Sequence, residues 1–174
     1  MENHSGFIKA MLLGGKNTSE RIAFTMWDNE EAYSNFSSHK DLEKIDLVSV
    51  KDKKIFINDT EINIRIFTDK ENSIQPLLVN FHGGGWFQGD LDTDDEMCRY
   101  LSKNSGYKVV SVDYRLAPEN RFPDGLNDCY EAVKYIHKHH EEFKINPENI
   151  SLCGTSAGGN LAAAVSLKFR NNQD

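Results

Sequence analysis

A chain of 174 residues can form one domain with a buried core, and 39% hydrophobic with 27% charged residues is an ordinary soluble composition. The net charge of −7 argues against nucleic acid and against an anionic membrane surface as partners. No apolar run is long enough to span a bilayer, and residues 7–13 are broken by Lys9 and lack a basic lead, so no secretion signal is expected.

Residues 1–45 show no strand period. Segments 20–33 and 41–45 read as short, weakly amphipathic helices, with a loop at 35–38. With few apolar residues, 1–45 is expected to be an N-terminal arm or cap segment over the rest. From Asp46 the period becomes two. Residues 47–50 and 54–57 suggest a strand pair or one bent strand, Asn58-Asp59 a turn, and 62–67 a half-buried strand. After a polar turn, 76–81, 108–114 and 149–153 are apolar runs of the kind buried on both faces of a parallel sheet.

Helices are expected over 96–103, over 123–143 and from Ala157 to about residue 170. The second carries Leu126, Cys129, Tyr130, Val133 and Ile136 on one face, and Pro123 suits its first turn. The third repeats Leu161, Val165 and Phe169 at intervals of four. Strand–helix alternation after an antiparallel start predicts an α/β domain over 46–174, its mostly parallel sheet covered by helices on both faces. The three cysteines, Cys98, Cys129 and Cys153, have no CxxC spacing and read as buried free thiols of a cytoplasmic protein. No Cys/His cluster has zinc-ligand spacing, so no metal and no cofactor are expected.

Two motifs carry chemistry. Gly154-Thr155-Ser156-Ala157-Gly158 lies between a strand and a helix. A serine hydroxyl is a weak nucleophile that must be exposed, aimed at a carbonyl and served by a base. A sharp strand–turn–helix elbow leaves the serine at its apex, and flanking glycines avoid the neighbouring strand and helix. The pattern alone arises by chance in about one such chain in twenty. His82-Gly83-Gly84-Gly85-Trp86 follows another apolar strand and is far rarer, on the order of one chain in a thousand. Its glycines let a loop turn backbone N–H groups toward the negative oxygen of a tetrahedral intermediate, where each donor is worth about 3–4 kcal/mol. Gly83, Gly84 and Ala157 are the expected donors. Ser156 is the expected nucleophile, with His82, Gly85, Gly154 and Gly158 in support.

The chain resembles the hormone-sensitive-lipase-like family of α/β-hydrolases, which includes bacterial acetyl esterases and carboxylesterases. The resemblance spans about residues 47–170. It rests on the two motifs, Gly89-Asp90-Leu91-Asp92, the stretch Asp113-Tyr114-Arg115-Leu116-Ala117-Pro118-Glu119, Phe122-Pro123, Asp128 and Gly159-Asn160-Leu161. It implies an α/β-hydrolase fold, hydrolysis of a small ester by Ser156, and a cap formed partly by residues 1–45. Thr155 departs from the pattern, which usually has Asp there.

Other residues have plainer readings. His82 is expected to hold its own loop rather than act as base, because the triad order is Ser, Asp/Glu, His. His4, His39, His137, His139 and His140 read as surface residues. The acidic run from Asp90 to Glu96 lacks the glycine and final glutamate of a calcium loop, and capping by Asp92 or Asp94 accounts for it. Asp113 and Arg115, at the end of a buried strand beside Pro118, suggest a structural ion pair or a turn-fixing role. Trp86 fits a pocket wall or the core equally.

The chain ends at Asp174, eighteen residues after Ser156, with no histidine between. Serine esterases need a histidine and an orienting acid, so the chain reads as the N-terminal part of an α/β-hydrolase domain, truncated after the elbow helix. A longer parent, a homo-oligomer or complementing C-terminal segment, and a non-catalytic relative that keeps the pocket all fit this reading.

Overall fold

The computed structural model describes residues 7–14, 20–27, 45–57, 59–70 and 73–171. Among the described residues seven strands run in chain order: β1 (Phe7–Gly14), β2 (Glu20–Trp27), β3 (Ser49–Ile57), β4 (Thr60–Thr68), β5 (Gln75–Phe81), β6 (Lys108–Asp113) and β7 (Ile145–Gly154). The helices are α1 (Asp95–Ser105) between β5 and β6, α2 (Asp124–Lys138) and the short α3 (His140–Phe143) between β6 and β7, and α4 (Ala157–Asn171) after β7. All seven strands form one sheet in the order β1-β2-β7-β5-β6-β4-β3. β5 is parallel to both β6 and β7, while β4 runs antiparallel to β6 and β3. The doubtful region at 47–57 is thus one strand, paired with β4 from Ser49↔Thr68 to Ile57↔Thr60.

The N-terminal segment differs from expectation. Residues 20–27 are a strand, not the start of a helix; β2 pairs antiparallel with β1 and parallel with β7. Ile22, Phe24 and Met26 recur every second residue, a strand period short enough to be taken for weak helical amphipathicity. The deciding factor is tertiary: the edge of β7 presents backbone N–H and C=O groups that a neighbouring strand satisfies. The expected features at 28–33, 35–38 and 41–44 lie outside the described residues.

Period-two alternation sorts the side chains onto two faces. On one face Leu77, Val79 and Phe81 of β5, Val110 and Val112 of β6, and Ile150 and Leu152 of β7 pack against Cys129, Val133 and Ile136 of α2 and Leu161 and Val165 of α4. Fully burying one such aliphatic side chain stabilises by about 1.5–3 kcal/mol. On the other face Phe67, Leu78, Val109 and Cys153 meet Cys98 of α1. The polar residues Asn80, Ser111 and Ser151 occupy the alternate strand positions and are also buried.

The expected helix over 123–143 is broken at His139. Its backbone N–H and its Nδ1 both donate to the Tyr135 carbonyl, at 3.0 and 2.7 Å, and its ring stacks on Tyr135. Two donors on one carbonyl end α2, and α3 stops at Lys144, which has φ +51. Cys98, Cys129 and Cys153 are buried and free. No helix among the described residues is long and apolar enough to cross a membrane.

Candidate active site

Gly154 ends β7 and Ala157 starts α4, so the chain reverses through Thr155 and Ser156. Ser156 is exposed, at φ +53. A non-glycine residue in this left-handed region costs about 1–3 kcal/mol and persists only where its surroundings force it. Here the forcing groups are visible. Gly158 N–H donates to the Thr155 carbonyl at 2.9 Å, and Asn160 N–H to that of Ser156 at 3.2 Å. The elbow also lies directly on the end of β5. A Cβ at Gly158 would fall 1.8 Å from the Phe81 carbonyl oxygen, and one at Gly154 would fall 2.5 Å from the same atom.

The glycine loop leaves β5 beside this elbow. A Cβ at Gly83 would sit 3.1 Å from the Thr155 carbonyl oxygen, so the two motifs touch. Gly84 has φ +123, and a Cβ there would meet the Gln88 carbonyl oxygen at 2.0 Å. Gly85 follows at φ +62 and Trp86 at φ +66. Both Phe87 and Gln88 donate their N–H to the Gly84 carbonyl, at 3.2 and 3.1 Å, which closes the loop on itself. Among the described residues the N–H groups of Gly83, Gly84 and Ala157 donate to no protein acceptor. That of Ala157 also heads a helix, where the backbone carries partial positive charge.

His82 is fully buried. Its Nδ1 donates to the Gly83 carbonyl at 2.7 Å, and its ring stacks on Tyr114 with centroids 4.3 Å apart. Tyr114 in turn donates its hydroxyl to the His82 carbonyl at 2.8 Å. Burial pushes the Tyr114 phenol well above its ordinary pKa, so it remains a donor. The imidazole is bonded into its own loop and turned away from solvent.

The segment after β6 braces the other side. Ala117 N–H donates to the Trp86 carbonyl at 2.9 Å. Of the expected ion pair or turn-fixing role, Arg115 shows both, but with Asp128 and not with Asp113, and its backbone N–H also donates to Asp128 at 3.0 Å. Arg115 forks onto Asp128 of α2, with Nε to Oδ2 at 2.8 Å and Nη2 to Oδ1 at 2.7 Å, while Asp113 accepts from Asn63 at 3.1 Å. Arg115 lies beyond the end of β6 and turns toward α2, while Asp113 sits opposite Asn63 in the pairing of β6 with β4. Trp86 is half exposed, and Phe87 and Phe122 more so, which leaves Trp86 at the surface and out of the core.

The acidic run is organised by turn geometry and by Arg65. Asp90 Oδ1 accepts from the N–H groups of Asp92 and Thr93 at 2.9 and 3.1 Å. Arg65 bonds Asp52, Asp92 and Asp95 at 2.6 to 3.0 Å, which pushes its own pKa up and that of Asp52 down. Asp94 holds the N-cap position of α1 but makes no side-chain cap bond, contrary to the expected role.

The sequence placed Tyr114 and Asp128 within the resemblance and Asp94 among helix caps, but not the contacts they make here. The first two left a faint signal: Asp128 stands next to the apolar stripe of Cys129, Val133 and Ile136, and Tyr114 directly follows β6.

A parallel sheet that ends in a serine elbow, with a glycine loop against it, defines an α/β fold of the hydrolase type. The chain belongs to the α/β-hydrolase fold family, whose pattern matches residues 78–174. It is 42% identical to an arylesterase of Saccharolobus solfataricus over 71% of this chain and 40% of that protein. It is 44% identical to the carboxylic ester hydrolase LipN of Mycobacterium tuberculosis over 60% of this chain and 28% of that one. A hyperthermophilic esterase from the archaeon Pyrobaculum calidifontis superposes with a TM-score of 0.72 at 36% identity, covering 74% of this chain and 41% of the esterase. The chain spans less than half the length of the curated relatives it matches.

Proposed function

We propose that this chain carries the nucleophile half of a serine carboxylic-ester hydrolase acting on small acyl esters. The observation that carries the reading is Ser156 itself: exposed, at φ +53, and set against a glycine loop with unused N–H groups. In this reading Ser156 Oγ attacks the ester carbonyl. The N–H groups of Gly83, Gly84 and Ala157 receive the oxygen as it becomes negative. Collapse of the tetrahedral intermediate expels the alcohol and leaves an acyl-serine, which water then hydrolyses. His82 and Tyr114 hold the loop in shape. The esterases and carboxylic ester hydrolases among the relatives support the same reaction class.

A second reading, a ligand-binding protein without turnover, is favoured by one observation. Among the described residues Ser156 has no hydrogen-bonded imidazole: His82 is bonded to Gly83, His139 to Tyr135 and His140 to His137. A serine without a base loses most of its nucleophilic advantage.

The experiment is hydrolysis of chromogenic acetyl and butyryl esters by the chain and by Ser156→Ala. The hydrolase reading expects turnover that disappears in the variant. Hydrolysis that survives Ser156→Ala sinks it. No hydrolysis together with saturable ester binding establishes the second reading.

A further inference from the structure

We infer that Asp94 is a positioning residue for the serine elbow and the glycine loop, its carboxylate joining Asn80 of β5, the His82 loop and Thr155 into one unit. The functional meaning of this rests on the reading of Gly83, Gly84 and Ala157 as oxyanion donors.

The geometry starts at the helix. Asp94 stands at the N-cap of α1 with φ −115, yet its side chain makes no cap bond. Asn80 Nδ2 donates to Asp94 Oδ2 instead, at 3.1 Å. Asn80 is fully buried, in the strand that leads into the glycine loop. Its Oδ1 accepts from the Cys153 thiol at 3.4 Å, one step before the elbow glycine. The Thr155 Oγ1 lies 3.9 Å from the sulfur of Met97, in the first turn of the helix that Asp94 precedes, and the hydroxyl favours the charged form of the Asp94 carboxyl. Thr155 itself brings no charge to the elbow; the carboxylate there comes from α1.

No arginine or lysine partners Asp94 among the described residues. The nearby guanidinium groups are taken, since Arg65 and Arg99 both bond Asp95, at 3.0 and 2.5 Å. The titratable groups that interact with Asp94 are His82 from the loop after β5, Tyr114 from the end of β6, Cys153 from β7, and Cys98 on its own helix. Burial lifts the Asp94 carboxyl above its ordinary value, against the opposing pull of Asn80, His82 and Thr155. His82 adds a further sign of polar design here, for its Nε2 is buried without a protein partner among the described residues. Protonating Asp94 turns one of its acceptor oxygens into a donor. The Asn80 amide then loses part of what holds it, and the glycine loop that follows β5 and the elbow that follows Cys153 move with it.

The test is a pH titration of the full chain by NMR, following the Asp94 carboxyl carbon and the amides of Gly83, Gly84 and Ala157. All four should move through one midpoint, above the ordinary value of about 3.9. In Asp94→Asn that step should be lost from the three amides. Thr155→Val removes a hydroxyl that favours the charged form, so the midpoint should rise; this variant carries the test if Asp94→Asn fails to fold. Amides that stay still while Asp94 titrates, a step that persists in Asp94→Asn, or an unmoved midpoint in Thr155→Val overturns the inference. Ester hydrolysis is not read, so failure here is distinct from failure of the Ser156 assay.

Discussion

The two faces of the sheet are built by the same strands and do different work. Val79 and Phe81 of β5 point into a dry cluster under α2 and α4, while Asn80 between them points under α1, where polar groups sit beside the smaller apolar cluster of Phe67, Leu78, Val109, Cys98 and Cys153. The dry face stabilises: its contribution scales with buried area and tolerates any well-packed aliphatic set. The α1 face adds little net energy for each bond, about 0.5–1.5 kcal/mol, but a hydrogen bond has a direction and a packed methyl group does not. That face leads to Thr155 and the glycine loop, where direction matters.

The contrast can be broken by substitution in adjacent residues. Phe81→Ala on the dry face should cost the most, about 3–5 kcal/mol in urea unfolding. That is a large fraction of a typical domain stability of about 5–15 kcal/mol. Next comes Asn80→Leu, which strips Asp94 of its amide donor and should cost about 1–3 kcal/mol in the same assay. A loss at Asn80 as large as that at Phe81 would mean that the polar layer also carries the fold.

A smaller effect separates two carboxylates by sign. Asp94 is raised by burial, so whatever it contributes is greatest at low pH and is lost as pH rises through its folded value. Asp52 is lowered, chiefly by its hydrogen bond to Arg65, so its contribution is present at neutral pH and is lost as pH falls through its folded value. Unfolding curves at neutral and acid pH should therefore show Asp94→Asn gaining on the parent as pH rises, and Asp52→Asn losing ground. The smallest expected effect is none at all. The three thiols are buried, with Cys153 pushed up to about 12 by that burial, and should resist Ellman's reagent until denaturant opens the sheet. Fast labelling of Cys98 or Cys153 but not Cys129 would show that the α1 face opens by itself.

What could be read from the sequence follows the same division. The strands at 76–81, 108–114 and 149–153 and the faces of α2 and α4 were legible, because area burial leaves a periodic trace in residue type. The elbow and the glycine loop were legible because their backbone geometry admits so few residues. The polar layer was not. Asn80 reads as a blemish in an apolar strand and Asp94 as one more acid in an acidic run; only the pairing of β5 with α1 joins them. The partner of Arg115 was not legible for a related reason, since Asp113 is nearer in sequence while Asp128 is nearer in space. The strand at 20–27 was missed because the edge of β7 that it covers is a property of the folded sheet.

The carbonyl of Phe81 has a consequence for how this sequence can drift. It lies where a side chain at Gly158 would begin, and it belongs to a backbone, so no rotamer change can clear the space. A lineage that gave up turnover could replace Ser156 freely and still could not replace Gly158 without rebuilding the end of β5. The two glycines of the elbow therefore record packing, whereas the exposed side chain at 156 is not fixed by packing. In a saturation library scored for folding alone, position 158 should be among the least tolerant and position 156 open to many residues, with glycine and asparagine foremost because its backbone is left-handed.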